Sequence, residues 1–168
     1  SAGRIMGSVS GGCVEGAVIT EAQEALGDAQ PRLLTFGVSD DTAFAVGLAC
    51  GGTIRILLEP VGTALPEQML AELVAARATR APRAYVVNTE SWSRRLTDGA
   101  GDALAPAIAT RMRADRSGME EGGWFIAVHN PALRLIVVGA VHIAQPLVQM
   151  ARACGYDCTL IDPRETFG

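Results

Sequence analysis

Two glycine-flanked cysteines are the residues of this chain whose types and spacing could do chemistry. Cys13 follows a pair of glycines, and Cys50, 37 positions further along, precedes another pair. Glycine has no Cβ, so backbone amides beside it can approach a flat or anionic ligand closely. Cys13 is predicted to lie in the first turn of a helix, where the helix dipole favours a reactive or metal-binding thiolate. The repeated arrangement predicts one pocket lined by both loops.

Other roles for the cysteines remain open at this point. A free cysteine often packs as a small buried hydrophobe, and we expect this of Cys154 and Cys158, at a helix end and inside a strand. Cys13 and Cys50 could also form a reversible disulfide, which requires Cα atoms within about 7 Å. The paired glycines favour a ligand pocket over core packing.

A second candidate site lies near the end of the chain. The apolar segment 133–138 leads into a turn from Gly139 to Ala144, then a helix to Cys154 and a strand over residues 156–162. The 23 positions from Gly139 to Asp162 are close to the spacing of about 20 between a phosphate-turn glycine and a ribose-binding acid. Asp162 would bind a ribose hydroxyl, and His142 would face the cleft. Val141 replaces the middle glycine of the fingerprint, which weakens this interpretation.

Composition excludes several classes of function. The chain has 168 residues and a net charge of −4, and its basic residues are not clustered, which argues against a nucleic-acid partner. All 14 basic residues are arginine, so no lysine can form a Schiff base. No run of eighteen apolar residues and no recognisable signal peptide occurs, which predicts no membrane span and a cytoplasmic protein. The lack of a first methionine and the end just after a strand indicate a fragment.

The elements that must position these residues follow from periodicity and breaker residues. Helices are predicted from Cys13 to Leu26 and over about 67–80 and 103–116, strands over 32–36, 53–59, 84–88 and 124–129, and either a strand or a surface loop over 94–96. The break at Asn130-Pro131 is the predicted domain boundary. We therefore expect an α/β protein, with a mixed α/β domain over 1–130 and the first βαβ unit of a truncated Rossmann-like domain over 131–168.

Several segments resemble a known family. Gly7–Gly16, Phe36–Asp41 and Gly47–Thr53 look like the XdhC/CoxI family of xanthine dehydrogenase accessory factors. Val138–Ala144 and Ile161–Arg164 are similar to the Rossmann domain that follows in that family. Residues 63–130 match only in general character, and the strand that usually precedes the first loop is missing.

The resemblance implies a molybdenum cofactor chaperone rather than an enzyme. Such a protein protects the cofactor while a cysteine desulfurase supplies sulfur, and delivers it to a molybdenum hydroxylase apoenzyme such as xanthine dehydrogenase or carbon monoxide dehydrogenase. Cys13 would bind the cofactor and its metal, with Cys50 as its companion, and Glu15 would accept a hydrogen bond from the pterin. Soft thiolate suits a molybdenum–sulfur centre. The residues implied to line the pocket are Gly11, Gly12, Gly51 and Gly52.

Two other functions remain open. The chain could be an NAD-dependent oxidoreductase with a cysteine-lined substrate pocket, in which Gly139, His142 and Asp162 hold NAD or another dinucleotide. It could also be a thiol redox protein that uses Cys13 and Cys50. An exposed sheet edge further predicts a homo-oligomer.

Overall fold

The computed structural model describes residues 4–38 and 52–164. Contacts divide the chain into two compact units, one of residues 1–72 and 87–94 and the other of residues 73–86 and 95–168. The predicted boundary after Asn130 falls inside the second unit, and the division into domains 1–130 and 131–168 stays a prediction. The described elements, in chain order, are α1 (Glu15–Asp28), β1 (Arg32–Val38), β2 (Gly52–Leu58), α2 (Glu67–Ala78), β3 (Arg83–Asn88), β4 (Arg94–Thr97), α3 (Ala105–Ala114), β5 (Gly118–Glu120), a 3-10 turn (Glu121–Gly123), β6 (Trp124–His129), β7 (Arg134–Val138), α4 (Ala144–Ala153) and β8 (Asp157–Ile161). The expected mixed α/β character is confirmed.

The first unit places helix α1 beside an antiparallel strand pair. The helix ends at Asp28, and Ala29 adopts a left-handed conformation with φ of 62°. Arg32, the first residue of β1, reaches back to Asp28 with an Nη2–Oδ2 distance of 2.6 Å. Strand β1 pairs with β2 from Arg32 opposite Leu58 to Val38 opposite Gly52. The predicted pocket residues Cys50 and Gly51 precede β2 and lie outside the described residues.

The largest sheet among the described residues has four strands in the order β4-β3-β6-β5. Strands β5 and β6 are antiparallel, with Gly118 opposite Ile126. Helix α3 contributes Ile108 to a fully buried cluster with Ala84, Val86 and Ile126. Burial of these aliphatic side chains stabilises this sheet.

Strands β7 and β8 form a separate parallel pair joined by helix α4. Arg134 pairs with Asp157 at one end and Val138 with Ile161 at the other. Helix α4 packs on both strands and buries Ala144, Val148 and Ala151, which share one helical face at spacings of four and three. A parallel pair needs such a crossover connection, so the predicted strand–helix–strand order is observed here.

The burial of Cys154, at the end of α4, and of Cys158, in β8, differs from expectation. Cys154 is exposed and Cys158 is only half-buried, so the prediction that Cys154 packs in the core is wrong. The physical reason is its position as the C-cap of α4, where the chain leaves the face that packs on the strands.

Membrane insertion finds no support in the described helices. Helix α1, with 14 residues, is the longest of them, and a spanning helix needs about 20 apolar residues. None of the helices within residues 4–38 and 52–164 combines the length and apolar character that a bilayer crossing requires.

Candidate functional site

The loop that carries Cys13 is folded around the carboxylate of Glu15. Oε1 accepts hydrogen bonds from Ser8 Oγ at 2.6 Å, Val9 N at 3.1 Å and Ser10 N at 2.9 Å. Oε2 accepts hydrogen bonds from Ser10 Oγ at 2.7 Å and Gly12 N at 2.9 Å. One side chain therefore collects five donors from a segment of five residues.

These contacts determine the charge state of Glu15 and its capacity to accept further hydrogen bonds. Hydrogen bonds from the Ser10 hydroxyl, then from the Ser8 hydroxyl and the Ser10 amide, hold the pKa of the Glu15 carboxyl well below its usual range. A carboxylate offers about four lone-pair positions, and five donors already occupy them. The expected hydrogen bond from a pterin to Glu15 therefore has no acceptor position in this arrangement.

Gly11 and Gly12 give the loop its shape. Their φ values are 77° and 117°, a region that residues with a Cβ rarely adopt. An added Cβ at either position would meet no atom within 4 Å, so the backbone conformation, and not lack of space, calls for glycine. The Gly11 amide donates to Ser8 Oγ at 3.0 Å, and the Gly12 amide donates to Glu15. Both expected ligand donors are thus used inside the loop, while their place in the pocket wall stays a prediction.

Cys13 is exposed and carries a free thiol. It lies two residues before α1 rather than within the first turn, and its amide donates to Ser10 Oγ at 3.0 Å. Among the described residues, no three His, Cys, Asp or Glu side chains converge as a metal site. Within the described residues, this exposed thiol could supply one soft ligand to a metal centre, but not a complete protein cage.

The second loop cannot be joined to this site. Cys50 and Gly51 lie outside the described residues, and Gly52 is the first residue of β2. The shared pocket, and a Cys13–Cys50 disulfide, therefore stay predictions.

An apolar groove beside the Glu15 loop was not anticipated from the sequence. It has a volume of about 530 Å³ and lies between residues 4–9 and one face of α1. Val18, Ile19, Ala22 and Leu26 line its helical side, with Leu26 70% exposed. Their helical spacing is the signal that could have revealed an apolar face open to solvent.

The predicted nucleotide turn is also organised by a carboxylate. Asp162 Oδ2 accepts hydrogen bonds from the Ala140 amide at 2.6 Å and Arg164 Nη2 at 2.8 Å. Its Oδ1 accepts hydrogen bonds from the Arg164 amide at 3.0 Å and Arg164 Nε at 2.9 Å. Gly139 has φ of 108° and donates to the carbonyl of Ile161 at 2.7 Å. The structure thus brings Gly139 and Asp162 together, as the spacing predicted.

The same contacts change the role expected of Asp162. The Arg164 side chain, followed by the Ala140 amide, holds the pKa of the Asp162 carboxyl well below its usual range. Four donors fill the four lone-pair positions that ribose hydroxyls would need. His142, in the same turn, is exposed. Arg164 is the residue that the sequence argument missed, although an arginine two positions after an aspartate is a plausible ion-pair partner.

Comparisons with known proteins found a family model that matches the start of the chain, and two relatives that match nearly all of it. Residues 1–37, which include the whole Glu15 loop, match the model of the XdhC and CoxI family. The chain is 30% identical over 160 residues to the molybdenum cofactor insertion chaperone PaoD of Escherichia coli (strain K12), a match that covers 95% of this chain and 44% of PaoD. A crystal structure described as a xanthine dehydrogenase from Bacillus halodurans superposes with a TM-score of 0.70 at 25% identity, over 96% of this chain and 50% of that one. The chain thus spans half or less of the length of both relatives.

Proposed function

Because this chain is a relative of the XdhC and CoxI family, as its cysteine and glycine segments predicted, we propose that it acts in molybdenum cofactor maturation. In this proposal the protein binds the cofactor, protects it during sulfuration and delivers it to a molybdenum hydroxylase. One observation carries the proposal: an exposed, free Cys13 lies on a carboxylate-held loop inside the family-matched residues.

Cys13 is the residue proposed to hold the cofactor. When bound, molybdenum supplies a soft, sulfur-rich centre for which a thiolate is a suitable ligand. The cysteine is accessible without movement of other side chains, since it is exposed in the structure. Cys50, Gly51 and Gly52 are proposed to complete the pocket, and the groove beside the loop offers apolar surface to a flat ring system.

Residues 131–168 are proposed as the start of a Rossmann-like domain. Support comes from the parallel β7–β8 pair, the helix that connects it and the position of Asp162 directly after β8. A nucleotide ribose would have to displace Arg164 from the Asp162 carboxylate. The alternative of an NAD-dependent oxidoreductase has the strand–helix–strand unit in its favour, but the contacts of Asp162 with Arg164 weigh against it.

The proposed partners follow from the same family. They are a molybdenum hydroxylase apoenzyme, such as xanthine dehydrogenase or carbon monoxide dehydrogenase, as recipient, and a cysteine desulfurase as the source of sulfur. A cytoplasmic location and a homo-oligomeric state are part of the proposal.

Cofactor retention by cysteine variants tests the proposal. The complete protein is incubated with molybdenum cofactor and passed over a desalting column, and bound molybdenum and pterin fluorescence are measured. We expect wild type to retain cofactor and Cys13→Ala to retain at most about a tenth as much. The reason is that loss of one ligand bond of modest strength weakens binding about tenfold. Cys50→Ala tests the predicted companion in the same assay.

Cys154→Ala is the matched control, because Cys154 is also an exposed free thiol but lies at the end of α4. It should retain cofactor like wild type. Equal loss in the Cys13 and Cys154 variants would indicate unspecific thiol binding. No retention by wild type would refute the chaperone proposal itself.

A further inference from the structure

The Glu15 carboxylate is connected to Cys13 through a single hydroxyl group. The Cys13 amide donates to Ser10 Oγ, and this hydroxyl in turn donates to Glu15 Oε2. The Val14 amide donates to the same oxygen at 3.0 Å. The position of the Cys13 backbone therefore depends on where the carboxylate holds Ser10.

The dependence extends to all the amides of residues 9–14. The amides of Val9, Ser10 and Gly12 donate directly to Glu15. Those of Gly11, Cys13 and Val14 donate to a serine hydroxyl that is itself bound to Glu15. Six consecutive amides thus converge, directly or through one atom, on one side chain.

The type of side chain at position 15 matters. An ionised carboxylate has only acceptors, whereas an amide would present an NH₂ group on one side. With glutamine at this position, the NH₂ group would face either the Gly12 amide or the amides of Val9 and Ser10. All of these amides are donors, so the NH₂ group would meet a second donor on either side. The location of Glu15 as the first residue of α1 adds the favourable interaction of an anion with a helix N-terminus.

We propose that Glu15 is a positioning residue: its carboxylate fixes the loop so that the Cys13 thiol is presented outward for the cofactor, and it does not contact the cofactor itself. The functional part of this inference rests on the proposed function. The geometric part is independent of it, because it concerns the protein without cofactor.

Amide hydrogen exchange tests the geometric part. In the complete, cofactor-free protein, Glu15→Gln should speed exchange by at least about tenfold either at Gly12 or at Val9 and Ser10, because a donor–donor contact replaces the charge-assisted bonds on the side that the new NH₂ group occupies. Exchange at Cys13 and Val14 should also accelerate, since the Ser10 hydroxyl loses its ionised hydrogen-bond acceptor. Unchanged exchange at all five amides would overturn the proposal.

The relay through Ser10 gives a sharper readout that general destabilisation would not reproduce. Ser10→Ala should accelerate exchange at Cys13 and Val14, and adding Glu15→Gln to Ser10→Ala should cause no further change at these two amides. A further acceleration of the same size in the double variant would show that Glu15 does not act through Ser10, which would overturn the relay. Glu24→Gln is the matched control, since Glu24 lies on the same helix and is 62% exposed, and it should leave all loop amides unchanged.

Cofactor affinity tests the functional part. With wild type and Glu24→Gln binding alike, Glu15→Gln should weaken molybdenum cofactor binding by about tenfold. Equal affinity of Glu15→Gln and wild type, together with accelerated exchange, would overturn the positioning role. If wild type binds no cofactor, the proposed function fails, and the exchange data still decide the geometry.

Discussion

Two carboxylates, Glu15 and Asp162, have the same structural role at the two candidate sites. Glu15 accepts its hydrogen bonds from the loop before α1, and Asp162 accepts one from the Ala140 amide and three from Arg164; these bonds lower the pKa of each carboxyl. From the sequence, both residues are predicted as ligand contacts. In the structure both are bound by donors of their own chain, because a short loop of amides and hydroxyls is satisfied most readily by the nearest anion.

Asp162→Asn should reduce stability in a pH-dependent manner. The pKa of Asp162 is lowered in the folded protein, and the unfolded value is about 3.9. The stabilising contribution is therefore present above pH about 4 and is lost as pH falls below that value. We expect the Asp162→Asn substitution to lower the thermal midpoint at pH 7, and the difference from wild type to shrink toward pH about 3, as measured by circular dichroism.

Asp157→Asn is the control for this measurement. Asp157 lies at the other end of β8, is half exposed and pairs with Arg80 at 2.9 Å, and such surface pairs contribute only about 0–1 kcal/mol. A pH-independent difference for Asp162→Asn, or a larger effect of Asp157→Asn, would contradict the assignment.

Helix α1 shows how local sequence determines an element and where it stores strain. The helix begins at the residue that organises the loop and ends with Ala29 in the left-handed region. Alanine in this region costs about 1–2 kcal/mol because its Cβ approaches the carbonyl oxygen. Glycine is the usual residue at such a helix end, and the preceding glycine of the chain, Gly27, lies within the helix instead.

Ala29→Gly should therefore stabilise the protein. We expect an increase of about 1 kcal/mol in the free energy of unfolding, measured by urea denaturation, because glycine adopts positive φ without steric cost. Ala17→Gly, an exposed position inside α1, should have the opposite sign and destabilise by about 0.5–1 kcal/mol. Destabilisation by both substitutions would show that Ala29 is not strained.

Periodicity predicted the elements well, but not their pairing. Strand β6 was predicted with its observed bounds, Trp124–His129, since its aromatic and β-branched residues lie between clear breakers. The uncertain segment 94–96 is strand β4, and the three-residue strand β5 was missed because so short a segment carries no periodic signal. The sheet order β4-β3-β6-β5 depends on contacts between distant residues, which spacing along the chain does not encode.

The candidate site was predicted in part for a similar reason. The types and spacing of Gly11, Gly12 and Cys13 indicated a loop that presents a cysteine for chemistry, and in the structure Cys13 is exposed on a glycine-shaped loop, although it precedes α1 instead of lying in its first turn. The hydrogen bonds of Glu15 within the loop depend on which serine hydroxyls face the carboxylate. The folded loop determines which ones do, and the sequence motif alone does not.

At the scale of the whole molecule, the predicted self-association has a candidate surface in the β7–β8 pair. Ile136 is 61% exposed, Val138 73% and Ile161 47%. Val138 is opposite Ile161 and Ile136 is opposite Thr159, so these side chains share one face of the pair. Exposed apolar clusters of this kind often mark interaction surfaces.

Val138→Asp should reduce self-association if the homo-oligomer forms through this face. Sedimentation velocity over a range of concentrations should show an associating wild type and a more monomeric variant, because burying an unpaired carboxylate in an interface is costly. Val74→Asp is the control, since Val74 is 63% exposed on α2, and it should behave like wild type. Identical behaviour of wild type and Val138→Asp would exclude this face as the contact.

The internally satisfied loop also has a consequence for how cargo would leave. In the proposed carrier role the protein must release the cofactor, and release would leave no amide of residues 9–14 unpaired, because these amides find acceptors without any ligand. The loop is also ordered in advance, so little conformational entropy is lost on arrival or regained on departure. Hand-over would then reduce to competition between the Cys13 thiolate and the ligand groups of the recipient.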